Sequence, residues 1–327
     1  MSRRAVAGAV LALALGACAP SLAGLPGSPV AADGGVAIKA EPVALNPQDP
    51  AQDRIGAFHY AGGLVLTSVE TTRLHGLSDL DISTDGRLTA ITDEGDLLTA
   101  RIVLGGAGRL VGVTKAVIAA LPGPDGKPLP GKLEADAEGL ALLPSGGKLV
   151  SFEQRHRIWL YPANGAPPLE APAPTAGLEP NGGLEALALD PARGPLAYVA
   201  GGEESGQTWT CEIGGACAAS LLIPKPAEFG LVAMTRLPDG NTAYLLRAWD
   251  AIRGSRISLT IMGPTGLEVD RMDLTRPLTV DNFEGLAAVP TKGGQRFYLI
   301  SDDNFQSVQR TLLLAFDWRP AKGNPRP

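Results

Sequence analysis

FEGLAAVPTKGGQRFYLISDDN, residues 283–304, is the stretch on which the fold turns. A short apolar run leads into a turn marked by Pro and Gly. A second apolar run follows and ends in acids. Two such runs of strand length, punctuated by turn formers, read as a β-hairpin. The same pattern stands at four earlier places. They are GLSDLDISTDGRLTAITDEGD (76–96), AEGLALLPSGGKLVSFEQ (137–154), GLEALALDPARGPLAYVAGGEE (183–204) and GLVAMTRLPDGNTAYLLRAWD (230–250).

Self-similarity at this period is the signature of a repeat architecture. The matched apolar positions Leu80, Leu140, Leu187, Met234 and Leu286 are 60, 47, 47 and 52 residues apart. That spacing fits one four-stranded sheet per repeat, as in a β-propeller. Further strands lie between the hairpins, among them LLTARIVL (97–104), RLVGVTKAVI (109–118), RISLTIM (256–262) and LEVDRMDL (267–274). The last repeat is followed only by RTLLLAFDW (310–318), so it is one strand short. GGLVLTSVETT, from Gly62, is a strand without a sheet. Pairing the two would close the ring and remove the exposed edges. The expected fold class is therefore all-β, a β-propeller of five blades closed by an N-terminal strand. A sixth blade would have to hide in the long first step, where GPDGKPLPG (123–131) reads instead as an insert.

The composition agrees. The 327 residues include 41 Gly and 28 Pro, punctuation that suits short strands and excludes long helices. Residues 1–18 read as a signal peptide with a lipobox. Arg3 and Arg4 are followed by 13 uncharged, mostly apolar residues and then by Leu15-Gly16-Ala17-Cys18. That run is short for a bilayer span and right for a signal core. Lipidation of Cys18 would tether the chain to a membrane, and ordinary cleavage near Ala19 is the other outcome. The expected location is the periplasm of a Gram-negative bacterium, with the anchor in the outer membrane. Residues 19–54 read as a Pro/Ala/Gly-rich tether, 55–320 as the propeller and 321–327 as a tail. Cys211 and Cys217 could pair in an oxidising compartment.

Removing residues 1–18 leaves 26 basic against 34 acidic residues, a formal charge of −8. Such a surface repels a phosphate backbone, which argues against nucleic-acid binding. No P-loop, dinucleotide fingerprint or G-x-S-x-G elbow is present, so no nucleotide or organic cofactor is indicated. The three histidines have no metal-ligand spacing.

The repeat places acids at fixed points. Glu138, Glu185 and Glu284 share one position at the start of the first strand, where Ser78 and Val232 stand in the other copies. Asp93 and Glu94, Glu153, Glu203 and Glu204, and Asp302 and Asp303 close the second strand, and Arg247 breaks that series. These positions are expected to converge on one mouth of the channel. Grouped carboxylates need a cation or raised pKa values, and Ca²⁺ fits an all-oxygen set. Arg155 and Arg247 could pair with the acids or hold an anionic substrate.

NGGLEALAL (181–189), DNFEGLA (281–287) and SDDNFQSVQRTLLLAF (301–316) resemble the phytase-like family, described as "esterase-like activity of phytase". The resemblance runs from about residue 62 to 318. It implies an exported propeller distantly similar to calcium-dependent phytases, which hydrolyse phosphomonoesters with metal-activated water. It matches Asn181 with Glu185, Asn282 with Glu284, and Asp302, Asp303, Asn304 and Arg310 to recurrent polar positions. Glu138 and Glu153 take the equivalent places in an earlier blade. Glu138, Glu185, Glu284, Asp302 and Asp303 are thus candidate metal ligands. Arg155, Arg247, Asn181, Asn304 and Arg310 are candidate substrate contacts. Three functions follow for test: a Ca²⁺-dependent phosphoric-ester hydrolase acting on a small phosphorylated or ester substrate, a non-catalytic envelope propeller that binds a protein or glycan, and a carboxylesterase.

Overall fold

The first strand of each repeat carries apolar residues on both faces, as in Ala-Leu-Ala-Leu at Ala186–Leu189. Both faces must then be covered by other sheets. A computed structural model describes residues 34–175, 178 and 182–320 and shows how this is met. Five antiparallel sheets stand around one axis. Their innermost strands are Leu77–Ile82, Ala137–Leu142, Ala186–Leu189, Gly230–Arg236 and Asn282–Thr291. Each contacts the next, and the fifth contacts the first, which completes the ring. The fold is a five-bladed β-propeller. Residues 121–136, the long step in the repeat, hold a loop and the short helix Lys132–Ala135 in place of a sixth blade.

Every interface between neighbouring blades has its own apolar core. Leu80, Leu88, Tyr298 and Leu313 meet between blades five and one. Ile91, Leu140 and Phe152 fill the next gap, and Leu149, Leu187 and Tyr198 the one after. Val199, Met234 and Tyr244 join blades three and four, and Leu259, Phe297 and Phe316 join four and five. This is why the second and third strands read as nearly unbroken apolar runs.

Closure follows the expected pairing. Leu312–Trp318 is hydrogen-bonded to Phe58–Thr67, with Leu314 opposite Gly63 and Trp318 opposite Phe58. The N-terminal boundary differs from the sequence reading. Residues 34–54, assigned there to the tether, are part of the propeller. Gly35–Val36 is the outer strand of blade one, and Lys39–Pro42 is the outer strand of blade five. Leu45 is buried, and its carbonyl accepts from the Thr279 amide at 2.7 Å. This segment therefore straps the closing blade to its neighbour. Its strands are short and lie at sheet edges, so they lack the alternation that marks a half-buried strand. Cys211 and Cys217 face each other across a hairpin in blade three and are disulfide-bonded. Cys18 and residues 321–327 lie outside the described residues.

The axis is narrow. Asp79, on the first inner strand, is buried there. Its carboxylate accepts backbone N–H groups from Leu80 at 2.8 Å, Leu140 at 2.8 Å and Leu286 at 3.3 Å, which belong to three different inner strands. A Cβ on Gly139 would come within 2.6 Å of the Glu185 carbonyl and 2.5 Å of Ser151 Oγ. Gly139→Ala is therefore expected to destabilise the fold by about 1–3 kcal/mol through overpacking. Urea unfolding measures this, and a variant as stable as the parent would mean the inner strands are free to part.

Candidate metal and substrate site

The aligned acids owe their common direction to a backbone irregularity. In four blades the ladder between first and second strand slips by one residue. The extra residue is Ser78, Glu138, Val232 or Glu284. Such a bulge bends the strand and re-aims the unpaired side chain. In blade three Glu185 directly precedes the inner strand. The carbonyl of Gly183 accepts the Glu203 amide, as Gly76 accepts Asp93 and Asp136 accepts Glu153. Gly230 stands opposite Arg247, and Asn282 opposite Asp302. The register thus builds a second ring, Asp93, Glu153, Glu203, Arg247 and Asp302, around the first.

The acids of both rings, with Arg247, line a cavity of about 440 Å³ at one end of the axis, while Ser78 and Val232 do not reach it. Among the described residues its wall holds nine carboxylates, the four acids of the second ring with Glu138, Glu185, Glu284, Glu204 and Glu228, against only Lys132 and Arg247. No histidine, cysteine, serine or threonine among the described residues lines it. Of the expected metal ligands, Glu138, Glu185, Glu284 and Asp302 line this cavity. Lys132 and Asp136 escaped the sequence reading. Both lie in or beside the short helix after the blade-one insert, and the long 60-residue step was the one signal pointing there.

The two cations are already engaged. Lys132 Nζ lies 2.6 Å from Asp93 Oδ2 and 2.7 Å from Asp136 Oδ1. Arg247 donates to Glu203 Oε1 at 2.9 Å, to Asn282 Oδ1 at 3.1 Å and to Glu284 Oε1. Among the described residues Glu138, Glu153 and Glu185, between these two clusters, have no ion pair within 4 Å. The carboxylate oxygens of Asp136, Glu138 and Glu153 lie within 4.8 Å of one another. Asp136 is buried, and neither of its oxygens accepts a well-directed hydrogen bond, despite the contact with Lys132. Asp93 Oδ1 is likewise buried and unpartnered.

Burial of so much negative charge shifts its titration. Burial, then Glu185, raises Glu138 well above the usual carboxylate range. Burial, then Glu203, does the same for Glu185. Asp302 is pushed up to about 7 by burial and by Asp93. Burial also raises Glu153 and, against the pull of Lys132, Asp93. At neutral pH the cavity must hold protons or gain positive charge. An all-oxygen donor set with orphaned carboxylate oxygens fits a hard divalent cation such as Ca²⁺.

The remaining expected contacts fall elsewhere. Arg155 pairs with Glu134 on the surface and does not line the cavity. Asp303 clamps a loop, accepting from the Gly76 and Phe305 amides and from Thr311 Oγ1. Arg310 pairs with Asp281 at 3.1 Å in an adjoining groove. Asn304 stands on the rim that the two hollows share. Asn181 lies outside the described residues. The common reason is direction. Arg155, Asp303 and Arg310 neither sit at the bulge nor occupy the facing position on the second strand.

Residues 72–305 match the family model Phytase-like, described as "Esterase-like activity of phytase". No curated protein matches the chain. Among solved structures, a protein assigned as a gluconolactonase is 13% identical, with a TM-score of 0.47, covering 89% of this chain and 92% of its own. The calcium-binding protein regucalcin from Agrobacterium tumefaciens is 11% identical, with a TM-score of 0.46 and coverages of 88% and 94%. Virginiamycin B lyase from Staphylococcus aureus is 11% identical, with a TM-score of 0.44 and coverages of 86% and 99%.

Two outcomes follow from the charge balance. Carboxylates with raised folded pKa values bind more protons folded than unfolded, so stability is greatest below the unfolded values near 4 and is lost as pH rises through the folded ones. In chelator, the unfolding midpoint is expected to fall by about 5 °C or more between pH 5 and pH 8. A flat or rising profile by calorimetry would contradict this. Arg247→Met leaves Glu203 and Glu284 without their cation. It is expected to cost about 3 kcal/mol at pH 8 and less at pH 5, where the neighbouring Asp302, pushed up to about 7, carries a proton and the repulsion is smaller. Chemical denaturation at the two pH values reads the difference.

Proposed function

The chain belongs to the Phytase-like family, and on that premise we propose that it is a Ca²⁺-dependent hydrolase of phosphoric esters acting at the acidic cavity. The observation that carries this reading is the close set Asp136, Glu138 and Glu153, with Asp136 buried and neither of its oxygens well hydrogen-bonded. These three residues would hold the cation. Bound there, Ca²⁺ would polarise a phosphoryl oxygen and lower the pKa of a water. Glu185, beside the set and raised by burial and by Glu203, is the carboxyl placed to hold a proton there. Arg247 is committed to Glu203 and Glu284, so its part is to orient those carboxylates. Among the described residues the cavity wall offers no hydroxyl or thiol for a covalent serine or cysteine esterase route.

The N-terminal segment supports an exported protein held to a membrane by lipid at Cys18. No helix among the described residues is long and apolar enough to cross a membrane.

The test is phosphate release from p-nitrophenyl phosphate by the mature chain, with Ca²⁺ or with chelator. Turnover is expected with Ca²⁺ only, and Glu138→Gln with Glu153→Gln should lower kcat/KM by at least ~100-fold. Ca²⁺ should raise the unfolding midpoint of the parent, and raise it less in the double variant. No release from phosphate or carboxylate esters with Ca²⁺ present, or release indifferent to chelator, would overturn the proposal.

A further inference from the structure

The N-terminal strap enters the propeller at the end of the axis that carries the acidic cavity. The Gly34 carbonyl accepts the Ile118 amide at 3.1 Å, and Gly35 and Val36 then run away from that end along the strand Leu110–Ala120. Ala120, where that strand stops, pairs with Asp96, just past the cavity residue Asp93. The most exposed large apolar side chains gather at the same end. Among the described residues these are Val69, Ile252 and Val308, at 102%, 93% and 82%, joined by Trp249 at 67%. Val69 follows the strand Phe58–Thr67, whose Leu66 amide donates to the Thr311 carbonyl. Val308 lies on the loop between Asp302 and Leu312. Trp249 lines the cavity, and Ile252 tips the hairpin that rises beyond Arg247. At the opposite end only Leu267, at 70%, is exposed to a similar degree among the described residues.

Two of these tips are fixed by their own turns. Asp250 accepts the Ile252 amide at 3.0 Å, the Arg253 amide at 2.8 Å and Arg253 Nε at 2.6 Å. Asp302 accepts the Asn304 amide at 2.7 Å, and Asn304 and Phe305 hold the loop in the left-handed region, at φ of 47° and 56°. Apolar side chains displayed as a group mark an interaction surface.

We infer that this rim rests on a lipid bilayer, with Val69, Trp249, Ile252 and Val308 entering the headgroup layer and the acidic cavity turned toward the membrane. The inference rests on the reading of Cys18 as a lipid anchor and extends it. Residues 19–33 separate Cys18 from Gly34, a reach of at most about 55 Å when fully extended. A lipid at Cys18 thus tethers the propeller by its mouth end. Tethering raises the effective concentration of bilayer at the rim, so a weak apolar contact suffices. An indole beside aliphatic tips suits the boundary between water and acyl chains. Charge selects the lipid. Nine carboxylates at the mouth, against Lys132 and Arg247, repel anionic headgroups, so the rim fits zwitterionic ones and holds them by apolar insertion.

Trp249 makes the contact measurable. The other three tryptophans, Trp159, Trp209 and Trp318, are at most 8% exposed. The mature chain carrying Cys18→Ser, which bears no lipid, is mixed in chelator with vesicles of phosphatidylcholine brominated in its acyl chains. Quenching of Trp249 is expected at low and high salt alike. Ile252→Ser with Val308→Ser should lower the partition coefficient about tenfold or more. Leu267→Ser, at the far end, should leave it unchanged. Circular dichroism and the unfolding midpoint verify that these surface variants are folded. No quenching, binding confined to anionic vesicles at low salt, or equal losses for Leu267→Ser and the rim pair would overturn the inference. Quenching in vesicles, with the native chain soluble after export, removes the anchor and leaves the rim standing. A native chain held in the membrane fraction by its lipid, with no quenching of the unlipidated form, keeps the anchor and overturns the rim.

Discussion

One carboxylate ties the propeller at its centre. Asp79 accepts backbone N–H groups from inner strands of blades one, two and five. Burial pushes its pKa well above the ordinary range, and those three donors hold it back. Burying this group is tolerable because its acceptor capacity is used. With five blades the inner strands approach so closely that glycine is required where they touch, as at Gly139 and Gly285. The axis therefore offers no room for a polar channel along its length. Polar side chains collect at its end, where the strands diverge.

The bulge at the start of the inner strands turns that geometry into a site. In four blades it takes one residue out of the ladder, and so aims Glu138 and Glu284 at the mouth, while the residue closing the second strand meets it from across the hairpin. Three of the five bulge-column positions are Glu, and four of the five facing positions are acids. Stacking so many carboxylates is unfavourable for an empty cavity. The chain offsets part of that cost with Lys132 and Arg247 at opposite sides. What lies between them, Glu138, Glu153 and Glu185, is left without a counter-charge, and that gap gives the cavity its demand for a cation. The neighbouring groove has the converse balance: among the described residues the guanidinium of Arg276 and the side-chain amides of Asn304, Gln306 and Gln309 make no ion pair or hydrogen bond.

Some of this was legible from spacing alone. Apolar runs at Leu80, Leu140, Leu187, Met234 and Leu286 follow from the need to cover both faces of each sheet, so the repeat survives in sequence even where its letters differ. The acids Glu138, Glu185 and Glu284 were legible for the same reason: they are tied to that repeat by a constant offset of two residues. Lys132 and Asp136 were not, because they come from an insert that belongs to no repeat. Nor was the strap at residues 35–42, since edge strands are free of the two-sided burial that writes a pattern. Arg155 and Arg310 looked equivalent to Arg247 in sequence, yet each pairs with a local acid outside the cavity.

By itself, then, the amino-acid sequence determined the all-β class, the five blades, the strand that closes them and the column of acids at the strand starts. Each of these rests on periodic burial or on a fixed offset within one hairpin, which are local constraints. Only the tertiary structure decided which acids share a cavity, which cations are already engaged, and that a second groove adjoins the first. Those facts depend on the meeting of residues far apart in the chain, such as Arg247 with Glu284 and Asp79 with Leu286. No single repeat encodes them, because they arise where the ring brings separate blades together.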